Sequence, residues 1–242
     1  MDWTDRGIVL SARKHGETSL IVQLLTEQHG RHAGLVRGGT SSRARGLYQP
    51  GNLLSAHWRA RLAEHLGNYS CEMLTGSAAA LLDNGGKLGA LSAAAALAEA
   101  ALPEREPHAD VFESFSALIA VLGAARGADD WAPVYVRFEL GLLASLGFGL
   151  DLARCAATGT NDNLAYVSPK SGRAVSLSAG EAWREKLLAL PRFLLADEHP
   201  APGEVGQGLA LTGYFLERHV FAPHGKRLPA ARLRLGERLA KA

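Results

Sequence analysis

The chain has 242 residues, 47% of them hydrophobic, and a formal net charge of +2, which suits one large or two small packed domains of a soluble globular protein. It argues against a membrane span or a secretory leader: Leu88–Leu102 is short, alanine-rich and broken by Glu99, and the Met-Asp-Trp-Thr-Asp start is acidic. Cys71 and Cys155, far apart and without partners at metal or redox spacing, argue against a disulfide scaffold and for a reducing, cytoplasmic setting.

Up to about residue 75 the pattern is of short strands: Arg6–Leu10, Ser19–Leu25, Arg31–Arg37, Leu53–Arg59 and Tyr69–Leu74. Five strands with glycine turns favour a small closed barrel, because closure removes exposed edges; an OB-type barrel over 1–78 is the economical reading. Between the third and fourth strands, Gly38–Gly51 is rich in Gly and Ser and reads as a flexible loop.

After Gly76 the composition turns to alanine and leucine, and a mostly helical domain is expected over 79–242, making the fold class α+β. Lys87–Ala101 reads as a helix stopped by Pro103 and Pro107. Val111, Phe112, Phe115, Leu118, Ile119 and Leu122 form one apolar helical stripe. A third helix, Ala132–Leu146, ends at Gly147 and Gly149. A hairpin insert at about 151–180 follows, with strands Leu164–Val167 and Arg173–Val175 around the turn Ser168–Gly172. The last long helix, Pro202–Val220, leads into a basic tail with Arg227, Arg232, Arg234, Arg238 and Lys241.

The sharpest chemical signal lies in the barrel. Arg31, Arg37, Arg43, Arg45, Arg59 and Arg61 occur in a stretch without one Asp or Glu, although the whole chain is nearly neutral. Charge gathered in this way can neutralise a phosphate backbone, and a solvated basic loop would show the same pattern. Tyr48 on the loop, and Trp58 and Tyr69 on strands, are placed where bases could stack, although aromatic residues of small barrels commonly fill the core.

Catalytic signatures are missing. No G-x-x-x-x-G-K-[ST] phosphate cradle and no G-x-S-x-G elbow occur, and the basic zone holds no carboxylates for a metal nuclease. The pair Asp129-Asp130 falls at an expected helix start, where capping accounts for it. His15, His29 and His32 lie near turns without the thiols or carboxylates that would complete a metal site. The chain is therefore read as a non-enzyme with no cofactor.

Three stretches in order then carry a resemblance. Arg6-Gly-Ile-Val-Leu-Ser-Ala-Arg-Lys-His-Gly-Glu-Thr-Ser-Leu20 with Thr26-Glu-Gln-His-Gly-Arg31 and Leu47-Tyr-Gln-Pro50 form the first; Arg137-Phe-Glu-Leu-Gly-Leu-Leu-Ala-Ser-Leu-Gly-Phe-Gly149 leading to Cys155 forms the second. Tyr214-Phe-Leu-Glu-Arg218 and Lys226-Arg-Leu-Pro229 form the third. Together they resemble the bacterial recombination mediator family RecO over essentially the full length.

The resemblance implies an OB-fold start, a helical domain and a DNA-repair role in the RecF pathway. It implies binding of single- and double-stranded DNA without sequence preference, and annealing of complementary strands. Its implied partners are RecR, the acidic C-terminal tail of single-stranded-DNA-binding protein (SSB) and, indirectly, RecA loaded on gaps, in a cytoplasmic, nucleoid-associated protein without a membrane partner. The nucleic-acid residues are then Arg31, Arg37, Arg43, Arg45, Tyr48, Arg59, Arg61 and Arg227. The SSB tail would meet Arg137, with Phe115 and Leu142 as groove walls unless these two are core. Many relatives carry a four-cysteine zinc module; here Cys155 is followed by Thr158 and by no later cysteine, so the insert is read as a degenerate module that binds no zinc. An RNA-binding barrel on a helical adaptor, and a scaffold whose basic loop binds an acidic protein, fit the charge pattern as well.

Overall fold

The structure is a computed structural model that describes residues 1–196 and 198–240, with the side chain of Arg43 outside the description. It contains two compact units, Met1–Ala124 and Ala125–Ala242.

In the first unit, strands β1 (Asp2–His15), β2 (Ser19–Thr26), β3 (Gly30–Val36), β4 (Leu53–Arg59) and β5 (Asn68–Thr75) close into a barrel of order β1-β2-β3-β5-β4. β1 is nearly three times the expected Arg6–Leu10 strand, because a register shift between Val9 and Ser11 lets one strand serve two neighbours. Asp2–Ile8 pairs with β4 and Gly7–His15 with β2, and a bulge of this kind supplies the bend that closure needs. Val9, Val22, Leu24, Leu54, Ala56, Trp58 and Tyr69 alternate inward to fill the core. Gly34 gives the Tyr69 ring its place: a Cβ there would lie 2.3 Å from Tyr69 Cδ2.

The segment expected as a flexible loop contains helix α1 (Ser42–Leu47). Ser41 caps it by accepting from the Ala44 N–H at 3.3 Å, and Ala44, Leu47 and Tyr48, at helical spacing, pack against the barrel core. Asn52 fastens its end by donating to the carbonyls of Gly46 and Leu47.

Helices α2 (Gly85–Ala101) and α3 (Ala109–Ala124) follow, and α2 packs on β1 and β2. Both helices belong to the same compact unit as the barrel, which ends at Ala124. Small alanine faces on α2 allow that close approach, with Ala90, Ala93 and Ala94 fully buried.

The second unit starts with α4 (Ala128–Ser145). Asp130 caps it as expected, its carboxylate accepting from the N–H groups of Arg126 at 2.7 Å and Gly127 at 3.2 Å. Those bonds hold its carboxyl below the usual range. The insert forms β6 (Leu164–Val167) and β7 (Ala174–Ser176), but a third strand, β8 (Leu188–Ala189), completes a sheet of order β7-β6-β8. The helical turn α5 (Leu177–Gly180) lies between β7 and β8.

The expected last helix is α6 (Glu204–Phe215) continued by a wider π-helical segment, Leu216–Phe221. The expected tail forms α7 (Ala230–Leu239), with Lys241 outside the described residues. Arg232 makes it dock: 4% exposed, it pairs with fully buried Glu139 of α4 and donates to the Leu209 carbonyl at 2.7 Å. Thr212 of α6 donates to the same carboxylate at 2.5 Å. One buried carboxylate thus ties three helices together. Among the described residues, no helix is long and apolar enough to cross a membrane.

Candidate nucleic-acid interface

Arg37, Arg45, Arg59 and Arg61 are exposed, and none has an ion-pair partner among the described residues. The strand register places Arg37 just past the end of β3 beside the hairpin of β1 and β2, since Val36 pairs with Leu20, whereas Arg59, at the end of β4, lies opposite Asp2 at the other end of β1 from that hairpin. Leu35 of β3 lies beside Asn68 of β5, Asn68 lies opposite Arg59 of β4, and Arg37 follows two residues after Leu35. α1 carries Arg45 above the hairpin of β1 and β2, whose loop it approaches through the Thr40 N–H to Thr18 carbonyl bond of 3.2 Å.

A cavity of about 700 Å³ opens between that hairpin and α1, lined by Ser11, Lys14, Leu20, Thr40 and Arg45 among others. Lys14 is exposed and was absent from the sequence-based set; the run Arg13-Lys14-His15 at a hairpin tip is the signal that could have found it. Its neighbour Arg13 is held by Glu99 at 2.6 Å. Glu17 also lines the cavity, as its one carboxylate among the described residues. A groove edged by unpaired cations and small hydroxyls suits phosphates, and contacts of that kind position a strand without reading its sequence.

Two of the expected residues play other parts. Arg31 donates to the Leu102 carbonyl at 2.8 Å and pairs with Glu104 at 3.2 Å, so it fastens the segment after α2 to the barrel. The acid-free stretch in sequence meets an acid in space. Tyr48 is 5% exposed within the core, where burial, then Cys71, raises its phenol above the ordinary range, so it lines the cavity without offering an open ring face. Trp58 is also core, 2% exposed, and donates to the Leu66 carbonyl at 2.9 Å. The Arg43 side chain lies outside the described residues.

The turn histidines close one end of the barrel. His29 stacks on Trp3 at 4.1 Å, and Trp3 stacks on Trp58 at 5.6 Å. Asp5 holds His29 Nδ1 at 2.9 Å while accepting the N–H groups of Arg6 and Gln28. His32 sits edge-on to Trp58 with its Nδ1 3.1 Å from the Tyr69 hydroxyl. Burial, with Arg105 nearby, lowers His32 to about 4, so it is neutral at physiological pH. Among the described residues, no three His, Cys, Asp or Glu side chains gather as a metal site.

In the second unit, Arg227 is exposed on the turn before α7. Arg137 is exposed on α4 but donates to the carbonyls of Phe193 at 2.6 Å and Ala196 at 3.3 Å, bracing the segment after β8. Phe115 and Leu142, expected as groove walls, are both 0% exposed and lie in different compact units; they are core residues. In the insert, the Cys155 thiol accepts the Ser176 N–H at 3.2 Å. Burial pushes the thiol up, yet the hydrogen bonds from Ser176 and Thr158 outweigh it and hold it down to about 6.

Comparison with known proteins covers both units. A family model described as "Recombination protein O N terminal" matches residues 1–76, and one described as "Recombination protein O C terminal" matches residues 82–228. A DNA repair protein RecO of Rhodospirillum rubrum is 55% identical over 247 residues, spanning 100% of this chain and 97% of the relative. Its namesake in Rhodospirillum centenum is 55% identical over 244 residues, spanning 100% and 96%. That of Caulobacter vibrioides is 49% identical over 243 residues, spanning 100% and 99%.

Proposed function

The chain belongs to the RecO family of DNA repair and recombination proteins, and from that membership we propose that it acts as a strand-annealing mediator that holds DNA through its barrel. It binds single- and double-stranded DNA by phosphate contacts, without sequence preference, and brings complementary strands together. It works without turnover or nucleotide, in the cytoplasm, with RecR and the SSB tail as partners, and so helps RecA onto SSB-coated gaps.

The observation that carries this reading is the groove edged by Lys14 and Arg45, with Arg37 just past Val36 of β3, which pairs with Leu20 of the groove, all without ion-pair partners among the described residues. An annealing factor must accept any sequence while leaving base edges free, and backbone contacts from a closed barrel meet both needs. The SSB tail needs a site other than the one read from sequence, since Phe115 and Leu142 are core. Membership also favours DNA over the RNA-adaptor reading, which rested on charge alone.

The test is annealing of complementary oligonucleotides coated with SSB, with no nucleotide present. The chain should accelerate duplex formation, and the Lys14→Ala/Arg45→Ala variant should be slower by about tenfold, as expected for two lost phosphate contacts at low salt. No acceleration by the parent chain, together with tighter binding to RNA than to DNA of equal length, would overturn the proposal.

A further inference from the structure

The second unit contains a stack of rings with one end open to solvent. Phe148, on the turn after α4, has its ring centroid 5.3 Å from that of His219, with the planes 22° apart. His219 in turn stacks on Phe215 at 5.8 Å and 11°. Phe215 is 3% exposed and Phe148 is 39% exposed, so the stack is rooted in the core and ends in water. Gly147, at φ +85°, turns the chain sharply enough to bring Phe148 back over the helix.

The helix beneath is the π-helical segment Leu216–Phe221, which carries His219. Wider turns of this kind cost backbone stability and recur at functional sites. A second row runs alongside: Tyr214 meets the Phe215 ring edge-on at 5.3 Å, and the Arg218 guanidinium lies 6.0 Å from the Tyr214 ring centre. Arg218 is exposed and donates to the Tyr214 hydroxyl at 3.1 Å, with no carboxylate partner among the described residues. The nearby acids are engaged. Glu217 accepts the Leu228 N–H at 2.9 Å, and Asp151 pairs with Arg173 at 3.3 Å. The Lys226 N–H bonds the Phe221 carbonyl at 3.0 Å, which places Lys226 and Arg227, both exposed, at the end of the same segment.

Near-parallel rings ending in an exposed one, flanked by unneutralised cations, have the chemistry of a base-stacking platform. An exposed apolar ring of this size would gain by being covered, and a flat π-face with cations beside it matches a nucleobase and its phosphate better than an aliphatic side chain. We propose that Phe148, His219 and Phe215 form a platform on which unpaired bases of single-stranded DNA stack, with Arg218 taking an adjacent phosphate. This rests on the DNA-binding role proposed above and adds to the phosphate groove of the barrel a second surface of different chemistry. The platform selects for unpaired strands, because bases inside a duplex offer it no free face.

The test compares the full chain with Phe148→Leu and Phe148→Trp, using fluorescently end-labelled oligothymidylate and a duplex of equal length in anisotropy titrations. Leucine keeps apolar contact with His219 but removes the π-face, whereas tryptophan enlarges it. Phe148→Leu should weaken single-strand binding by about tenfold, the loss of one base stack, while duplex affinity and thermal unfolding stay at the parent's values. Phe148→Trp should bind the single strand at least as tightly as the parent. Parental single-strand affinity in Phe148→Leu overturns the platform and leaves the barrel groove standing; equal losses on single strand and duplex overturn it also, by showing a general surface effect. A parent chain that binds neither DNA overturns the DNA-binding reading itself and the platform with it.

Discussion

In the barrel unit Arg37, Arg45, Arg59 and Arg61 stand in solvent without carboxylates among the described residues, whereas in the helical unit Arg232 is buried on Glu139 and Arg137 is held by backbone carbonyls. The side chains are chemically identical, and their surroundings decide what they do. A cation that keeps its hydration and its full charge is available to an incoming phosphate. One that is desolvated against a carboxylate is part of the packing, and its removal is a matter of folding. The same contrast runs through the rings. Those at the end of the barrel are enclosed around His32, 3% exposed, while the stack of the helical unit ends in the open ring of Phe148.

Breaking the buried pair should have the largest effect. Glu139→Ala leaves Arg232 charged and desolvated, and should lower unfolding free energy by about 3–5 kcal/mol in denaturant titration. Glu139→Leu combined with Arg232→Met should recover much of that loss, because the pair contributes order more than net stability. An equally large loss in the double variant would show that the Arg232 contacts to Leu209 and Thr212 matter in their own right.

The enclosed rings make a smaller, pH-dependent contribution. His32 has its folded value lowered from 6.5 to about 4, so below 6.5 the unfolded chain takes up a proton that the folded chain does not. Its neutral burial therefore costs nothing above that range, and stability falls as pH drops from about 6.5 to about 4, by about 3 kcal/mol. Replacing His32 by Gln should remove this part of the pH dependence, read as a smaller change in unfolding midpoint between pH 7 and pH 4.5. A parent and variant that lose stability in parallel would place the sensitivity elsewhere.

The barrel was legible because strand alternation and glycine turns are local signals, and so were α2, from its alanine and its proline stops, and α3 and α4, whose stripes fall at helical spacing. α1 was hidden because its six residues lie among Gly, Ser and Arg, and only the cap at Ser41 and the spacing of Ala44, Leu47 and Tyr48 betray it. α7 was hidden because a short segment dominated by arginine reads as solvated, and its anchor Glu139 lies 93 residues away. The same remoteness misplaced Arg31, whose partner Glu104 is 73 residues away. Phe115 and Leu142 were recognised as members of apolar stripes, but a stripe does not say which of its residues faces a groove. Acid-free sequence identified where cations gather; only the register showed which remain free.

The central claim, that free cations on the barrel rim hold DNA by its backbone, is tested most directly by the salt dependence of single-strand affinity. Lys14→Ala/Arg37→Ala/Arg45→Ala should lower the slope of log affinity against log salt by about 2, at about 0.7 for each lost phosphate contact, equally for every sequence tried. Arg31→Ala, which removes a cation already paired within the fold, should leave the slope at the parent's value. A slope unchanged in the triple variant, or one reduced as much by Arg31→Ala, would contradict the account.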